Sequence, residues 1–383
     1  MAKILAVSHD SSLYGAQRSL LDIVSGLTSK GHQVDVCVPN QGLFVDSLRT
    51  LGITVYIVNF DRWIPSSSDI KIESKLLWLK YLLHLPKSLA KITKIIRSGQ
   101  YEVVYTNTVT VLDFAIAAWL CHIPHVWHLR ESAADNPQLK SPLSNRRVIA
   151  LVSCLSDQVI FNSNYLQRKY AAPANKKFSV IYNGIQIQTL PPLRPPRLPN
   201  IPLSIVTIGY MERRKGLDVL LDALILLPLE QQLKIQLTVA GLVEEKYLAT
   251  EIAPRLARVA SRVVLMGWVD SIDALLKSSD LLVSSARDEP FGRTLIEAMM
   301  VGVPILSTRS GGPEEIIIDG VTGLLVHSEA PNEIADALTR LIDKPSILNR
   351  LGAAGYERAS STFSLQSYVE GVENTLLSHN SKN

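Results

Sequence analysis

The sequence predicts an α/β protein of two doubly wound domains facing a cleft, on three observations. Short apolar, β-branched runs alternate with helical patterns along most of the chain. A proline-rich stretch divides them into two such series, and 383 residues are too many for one ordinary core. Continuous apolar strands separated by helices imply parallel sheets covered on both faces.

The first series reads "KILAVS", "QVDVCVP", "TVYIVNF", "EVVYTNT", "HVWHL" and "QVIFNS". Helical patterns separate these strands; "AQRSLLDIVSGLTSKG" ends at Gly31, a residue suited to follow a helix C-terminus. The opening "MAKILAVSHD" has an apolar run too short for a signal-peptide core and reads as the first buried strand. Residues 186–202, "QIQTLPPLRPPRLPNIP", carry six prolines and read as an interdomain linker, because proline continues neither a helix nor a central strand. The second series is "LSIVTIGY", "KIQLTVAG", "VVLMGWV", "DLLVSSA", "PILSTRS" and "GLLVH". Helices "APNEIADALTRLID" and "PSILNRLGAAGYERAS" follow, then an amphipathic "SLQSYVEGVENTLLS" whose packing the pattern leaves open. The expected division is a first domain over 1–185, the linker over 186–202, a second domain over 203–360, and a helix and tail over 361–383. Ligands of such folds bind outside the carboxyl ends of the strands.

Composition narrows the class. No uncharged apolar stretch approaches the roughly 20 residues that cross a bilayer. Cys37, Cys121 and Cys154 are odd in number and widely spaced, which argues against a disulfide framework and a structural zinc site and for a reducing, cytoplasmic setting. Residues 1–185 hold 20 Lys and Arg against 12 Asp and Glu, and the remainder 19 against 23. The basic half suits an anionic ligand; nucleic acid, an anionic membrane surface and a phosphorylated acceptor all fit that charge.

The stretch "DEPFGRTLIEAMMVGVP" (288–304) sets Glu289 and Glu297 eight positions apart around a Pro-Phe-Gly turn. Pro290 discourages helix at Glu289, and Gly292 permits a tight turn into a helix. At 3.6 residues per turn Arg293, Thr294 and Glu297 share a polar face, with Ile296, Met299, Met300 and Val303 opposite. Open N–H groups at such a helix start favour phosphate. An Arg293–Glu297 ion pair on a solvated helix fits the spacing equally well. In "GYMERRKG" (209–216), Arg213, Arg214 and Lys215 follow a strand and suit a departing diphosphate, or form an exposed basic turn. Gly15 in "SSLYGAQRS" allows close backbone approach to a phosphate or sugar, or serves the turn alone. That loop is not GxGxxG, which weighs against a nicotinamide enzyme. His128, Arg130 and Glu131 end the strand of "HVWHLRES" and face the cleft by the switch-point rule, with a structural histidine as the alternative. No D-x-D and no His/Asp cluster suggests a metal. Residues 71–98 hold seven Lys and Arg against one Glu and read as two short helices around Pro86. In the second, Lys87, Lys91 and Lys94 form one stripe and Leu85, Leu89, Ile92 and Ile96 another. Such helices lie on anionic lipid or cover a sheet with a solvated basic face.

These blocks together resemble family 4 of the retaining GT-B glycosyltransferases (glycosyl transferases group 1). The signature is the E-x7-E of 289–297, continued through "GWVDSIDALLKSSDLLVSSARDEPFGRTLIEAMMVGVPILSTRSGGPEEIIIDGVTGLLV", with "GYMERRKGLDVLLDAL", "VIYNGI" and "LYGAQRSLLDIV" in support. The resemblance implies the GT-B fold of two Rossmann-like domains, with the acceptor on the first and a nucleoside diphosphate sugar on the second. Glu289 would hold the donor sugar's hydroxyls, with the Phe291 and Gly292 backbone against that sugar. The N–H groups of Thr294 and Leu295 would meet the diphosphate, and Glu297 the ribose. Lys215 matches the family's lysine at the diphosphate. The family usually places arginine directly after the first glycine of that loop; Tyr210 stands there, so Arg213 or Arg214 would substitute. The family commonly has two glycines where Tyr14 precedes a single Gly15. His128 would contact the donor sugar near the reacting carbon, and Arg130 and Glu131 would bind donor or acceptor. The resemblance further implies transfer with retention and without metal or other cofactor, to a glycan or lipid-linked acceptor. The setting would be cytoplasmic, peripheral at the inner membrane face, with no nucleic-acid partner. A GT-B epimerase or phosphorylase, or a non-catalytic nucleotide-sugar sensor, are the alternatives.

Overall fold

The computed structural model of the chain describes residues 1–66, 74–172, 175–187, 201–269 and 271–378. They form two compact units: Met1–Gly184 together with the chain from Leu365 onward, and Ile185–Ser364. Most of the proline-rich stretch, 188–200, lies outside the described residues, as do 71–73 of the basic segment.

The first unit is built on seven parallel strands: β1 Lys3–Val7, β2 Gln33–Val38, β3 Val55–Ile57, β4 Val103–Thr106, β5 His125–Leu129, β6 Gln158–Phe161 and β7 Phe178–Val180. Their order is β3-β2-β1-β4-β5-β6-β7, so the chain reverses direction across the sheet between β1 and β4. The unbroken apolar strands are explained by burial on both faces. Ile4 and Ala6 of β1 pack with Leu20, Ile23 and Val24 of the helix Gly15–Ser29. Leu5 and Val7 pack on the other face with Ile92, Ile96 and Phe114. The helix Gly15–Ser29 ends just before Gly31, whose φ of 89° is the left-handed conformation that closes helices. Six of these strands match the sequence expectation. The short edge strand β7 does not, since three half-buried residues give no periodic signal.

The final helix, Leu365–Leu377, belongs to this first unit. Tyr368, Val369, Val372 and Leu376 complete the apolar cluster formed by Leu20, Ile23, Val24 and Leu27. Glu373 binds His32 at 2.8 Å and pairs with Lys30, which fixes the helix by its polar side.

The second unit has six parallel strands: β8 Leu203–Ile208, β9 Ile235–Ala240, β10 Arg262–Gly267, β11 Leu281–Ser284, β12 Ile305–Thr308 and β13 Leu324–Val326. Their order, β10-β9-β8-β11-β12-β13, places the reversal between β8 and β11. All six correspond to the second series of apolar runs.

One expectation fails. The basic segment forms a single helix, Ser74–Gly99, with Pro86 inside it, instead of two short helices. Tyr81, Ser88, Ile92 and Ile96 lie buried along one stripe through the proline. Packing of that stripe outweighs the hydrogen bond Pro86 cannot donate, a loss of about 3 kcal/mol in an exposed helix. It also means that Leu85, Leu89, Ile92 and Ile96 face the protein core and are not available to lipid. Because Pro86 itself is exposed, Pro86→Ala should stabilise the protein by about 1–3 kcal/mol. An unchanged or lowered denaturation midpoint would contradict a continuous helix.

Candidate active site

In the second unit the loops that leave β8, β11 and β12 emerge side by side, since the three strands are parallel neighbours. They straddle the switch point, where open α/β sheets bind ligands. The loop after β8 closes at Gly216, which is left-handed at φ 67° and starts the helix Leu217–Leu226. A Cβ there would overlap the Ser285 carbonyl oxygen of the next loop, and Ser285 Oγ donates to Gly216 O at 2.7 Å. Only glycine lets the two loops approach this closely.

Arg287 fastens the loops further. Its guanidinium forks onto both Asp218 oxygens at 2.8 Å, its N–H donates to Arg214 O at 2.8 Å, and Nη1 donates to Arg213 O at 2.6 Å. Burial alone would raise the Asp218 carboxyl, but Arg287 and Tyr247 hold it below its ordinary value. The sequence expectation did not include Arg287, Asp218 or Tyr247.

Held this way, Lys215 Nζ lies 2.6 Å from Glu289 Oε2. Burial pulls the Glu289 carboxyl upward, yet the charges of Lys215 and Arg214, the Lys215 hydrogen bond and the Phe291 N–H keep it below the usual carboxylate range. Glu289 is therefore an anion at neutral pH, able to accept from two hydroxyls. Its backbone bridges the loop after β12: Glu289 N donates to Ser310 O at 2.9 Å, and Gly312 N to Glu289 O at 2.8 Å. Arg214 is bound to Glu212 at 3.0 Å and to the Asp288 carbonyl at 2.9 Å, whereas Arg213 is exposed. Of the two candidates for the family's missing arginine, Arg214 is the one the loop orders beside Glu289.

The helix Arg293–Met300 starts from Gly292, left-handed at φ 102°, one residue after Phe291. The Phe291 ring is buried edge-on against Phe363, at 6.0 Å between centroids, leaving its backbone at the site. Leu295, Ile296, Met299 and Met300 are buried; Arg293, Thr294 and Glu297 are partly exposed, as the 3.6-residue period requires. Arg293 Nε lies 2.8 Å from Glu297 Oε1, so the ion pair that the spacing allowed is formed. Leu295 N–H donates to Gly292 O at 3.0 Å, so the expected pair of open N–H groups is reduced.

The remaining expected residues lie in the first unit. Gly15 begins the helix after β1, with open space where a Cβ would stand. His128 on β5 is fully buried, with Nδ1 hydrogen-bonded to Tyr105 OH at 2.7 Å. His128 Nε2 has no partner among the described residues. Burial, aided by the Arg130 charge, drives the His128 pKa well below its ordinary value, so the ring is neutral. The Arg130 guanidinium is held by Asn107 Oδ1 at 2.7 and 3.0 Å, by Tyr368 OH at 2.6 Å and by Asn183. Asn107 and Asn183 stand directly after strands or in "VIYNGI", a signal visible in the sequence; Tyr368 comes from the last helix and had none. Glu131 accepts from Thr108 Oγ1 at 3.0 Å, and burial raises its carboxyl.

The same unit has a cavity of about 690 Å³ past the ends of β1, β2 and β3, lined by His9, Asp10, Asn40, Asp61, Arg62 and Lys80 among others. Arg62 binds Asp10 at 3.2 Å and the His9 carbonyl at 3.2 Å. Burial and the Arg62 charge lower His9 to about 3 against the pull of Asp10, and its Nδ1 has no partner among the described residues.

Two measurements test these arrangements. Arg287→Ala leaves Asp218 buried beside Tyr247 without its cation and should cost about 3 kcal/mol, with Arg287→Lys restoring only part, since lysine lacks the fork. Chemical denaturation reads both, and an Arg287→Ala protein of unchanged stability would contradict the fastening role. The second test is pH. His9, His125 and His128 all have folded pKa values below the unfolded 6.5, mainly through burial. Below pH 6.5 the unfolded chain takes up protons that the folded one refuses, so stability falls with falling pH. Replacing His128 by Gln should reduce that slope by up to about 1.4 kcal/mol per pH unit.

The comparisons with known proteins agree with this geometry. The family model "Glycosyltransferase Family 4" matches residues 14–189, and "Glycosyl transferases group 1" matches residues 195–358. An uncharacterized glycosyltransferase of Methanocaldococcus jannaschii is 29% identical over 252 residues, 65% of this chain and 67% of that protein. The D-inositol 3-phosphate glycosyltransferase of Thermobifida fusca is 29% identical over 242 residues, 58% of this chain and 55% of its own length. The matched stretches thus span about half to two thirds of these relatives. Among solved structures, Anabaena HepE in complex with UDP and glucose superposes with a TM-score of 0.82 at 23% identity, covering 99% of this chain and 100% of that one. With one family model on each half and the GT-B architecture throughout, the chain belongs to the group 1 glycosyltransferases, family 4.

Proposed function

We propose that the protein is a retaining hexosyltransferase that moves a sugar from a nucleoside diphosphate sugar to a glycan or lipid-linked acceptor, without a metal. The observation that carries this reading is the Lys215–Glu289 pair at 2.6 Å on the two loops flanking β8 and β11. A diphosphate needs a fixed cation, and a sugar needs a fixed carboxylate; the pair supplies both at one edge of one sheet. Glu289 binds the sugar hydroxyls and Lys215, with Arg214, the diphosphate. Phe291, Gly292 and the Thr294 amide, at the start of the helix, line the donor, while the Leu295 N–H is held by Gly292 O. Glu297 takes the ribose, and Arg293 orients it. In the reaction the bond from the anomeric carbon to the phosphate oxygen breaks and a bond from the acceptor oxygen to that carbon forms on the same face. The acceptor's proton passes to the leaving phosphate, and the cations stabilise the charge that develops there. His128, neutral at pH 7, offers Nε2 to the sugar, and Arg130 and Glu131 serve donor or acceptor.

The complex of HepE with UDP and glucose favours a UDP-sugar donor. The mixed polar cavity lined by His9, Asp10, Asn40 and Arg62 suits a polyhydroxylated acceptor. The setting is polysaccharide or glycolipid assembly at the cytoplasmic face of a membrane. A relative that acts in lipopolysaccharide core biosynthesis in Rhizobium meliloti, 30% identical over 174 residues, supports this setting.

A thermal-shift screen against UDP-, GDP- and ADP-sugars should single out one donor. A ligand at about 100 times its Kd adds about 2.7 kcal/mol of stability. With that donor, Glu289→Ala should cut turnover by at least about a hundredfold while the fold persists. Normal turnover in Glu289→Ala, or a product inverted at the anomeric carbon by NMR, would overturn the reading.

A further inference from the structure

The helix Ser74–Gly99 shows solvent a face that the core does not explain. Leu79, Leu82 and Leu83 are 56%, 51% and 67% exposed, although a leucine gains nothing from standing in water. At 100° per residue these three, with the exposed Pro86 and Ala90, fall within one arc of about 100°. Lys80, Lys87, Lys91 and Lys94, all exposed, border that arc along one side, and the exposed Arg97 closes the arc at the far end of the helix. No acidic residue occurs between Ser74 and Gly99. The acidic group at the rim, Asp61, is 2.7 Å from His84 Nδ1 of the same helix. Because the helix runs unbroken through Pro86, the leucines of its first half and the cations of its second half belong to one surface. Buried Tyr81, Ser88, Ile92 and Ile96 fix the opposite side to the unit, so this surface cannot rotate inward.

We propose that this face docks on an anionic lipid bilayer, with Leu79, Leu82 and Leu83 entering the headgroup–acyl boundary and the lysines meeting lipid phosphates. Charge selects this occupant: a row of cations beside an apolar strip matches an anionic bilayer, whereas a second copy of the chain would bring like charge against like. The stripe that does the inserting is the leucine triplet, not Leu85, Leu89, Ile92 and Ile96. Lys80 and Tyr81 also line the cavity past the ends of β1, β2 and β3, so docking brings the rim of that cavity to the membrane. This adds to the transferase reading the surface from which a lipid-anchored acceptor is reached, and it rests on that reading only for the acceptor.

Vesicle sedimentation of the full chain tests it without donor, acceptor or turnover, so it can fail or succeed independently of the transferase assignment. The protein should sediment with phosphatidylcholine vesicles containing about one third phosphatidylglycerol, and not with phosphatidylcholine alone. Leu79, Leu82 and Leu83 changed together to Ser should lower the partition coefficient at least about tenfold, and Lys87, Lys91 and Lys94 changed together to Glu should abolish binding. The thermal midpoints of both variants, whose replaced side chains are exposed, confirm that they are folded. Absence of binding to anionic vesicles, equal binding to neutral ones, or wild-type binding by the leucine variant overturns the proposal. A dimer by light scattering that the leucine variant dissociates, without vesicle binding, overturns it in favour of self-association.

Discussion

One ion pair across a switch point organises the second unit. Lys215 and Glu289 sit on loops from adjacent parallel strands, and those loops are sewn together beneath them by the Arg287–Asp218 fork and by the close approach at Gly216. A lysine and a glutamate on separate mobile loops would spend much of any interaction energy on ordering themselves. Here the backbone has met that cost during folding, and the two charges stand ready at fixed positions. The Lys215 and Arg214 cations also keep the carboxyl ionised against the pull of burial, which the role proposed for it toward sugar hydroxyls demands.

The first unit uses a different strategy. His128 is kept neutral by burial, and Arg130 is held by Asn107, Asn183 and Tyr368, so its charge stands in a rigid frame. The carboxyl ends of both sheets therefore present prearranged polar groups, an ion pair in one unit and a neutral histidine beside a hydrogen-bonded guanidinium in the other. Such an arrangement suits chemistry in which charge moves from a sugar to a leaving phosphate and little is required from a protein nucleophile.

Much of this was legible in the sequence, for physical reasons that particular residues make plain. Most strands announced themselves because parallel strands buried on both faces must be apolar at every position; the edge strands β3 and β10, partly exposed, did so by their β-branched and apolar composition, and β7, short and half-buried at the edge, did not. Glu289, Lys215, Gly292 and Glu297 were legible because helix starts and strand-end turns have strong local chemistry. Asp218 and Tyr368 were not, because their meaning depends on partners 69 and 238 positions away. Pro86 misled in the other direction: local propensity argued for a break, and the buried stripe on both sides of it prevailed.

The return of the last helix to the first unit also bears on how the chain comes into being. Val369, Val372 and Leu376 close an apolar cluster whose other members, Leu20, Ile23 and Leu27, are made at the very start of synthesis. On the ribosome the first unit must wait, with one side of its earliest helix uncovered, until nearly every residue has been added. The second unit, a continuous stretch from Ile185 to Ser364, has no such debt and can settle before it. The unit begun first is therefore the one that can be completed last.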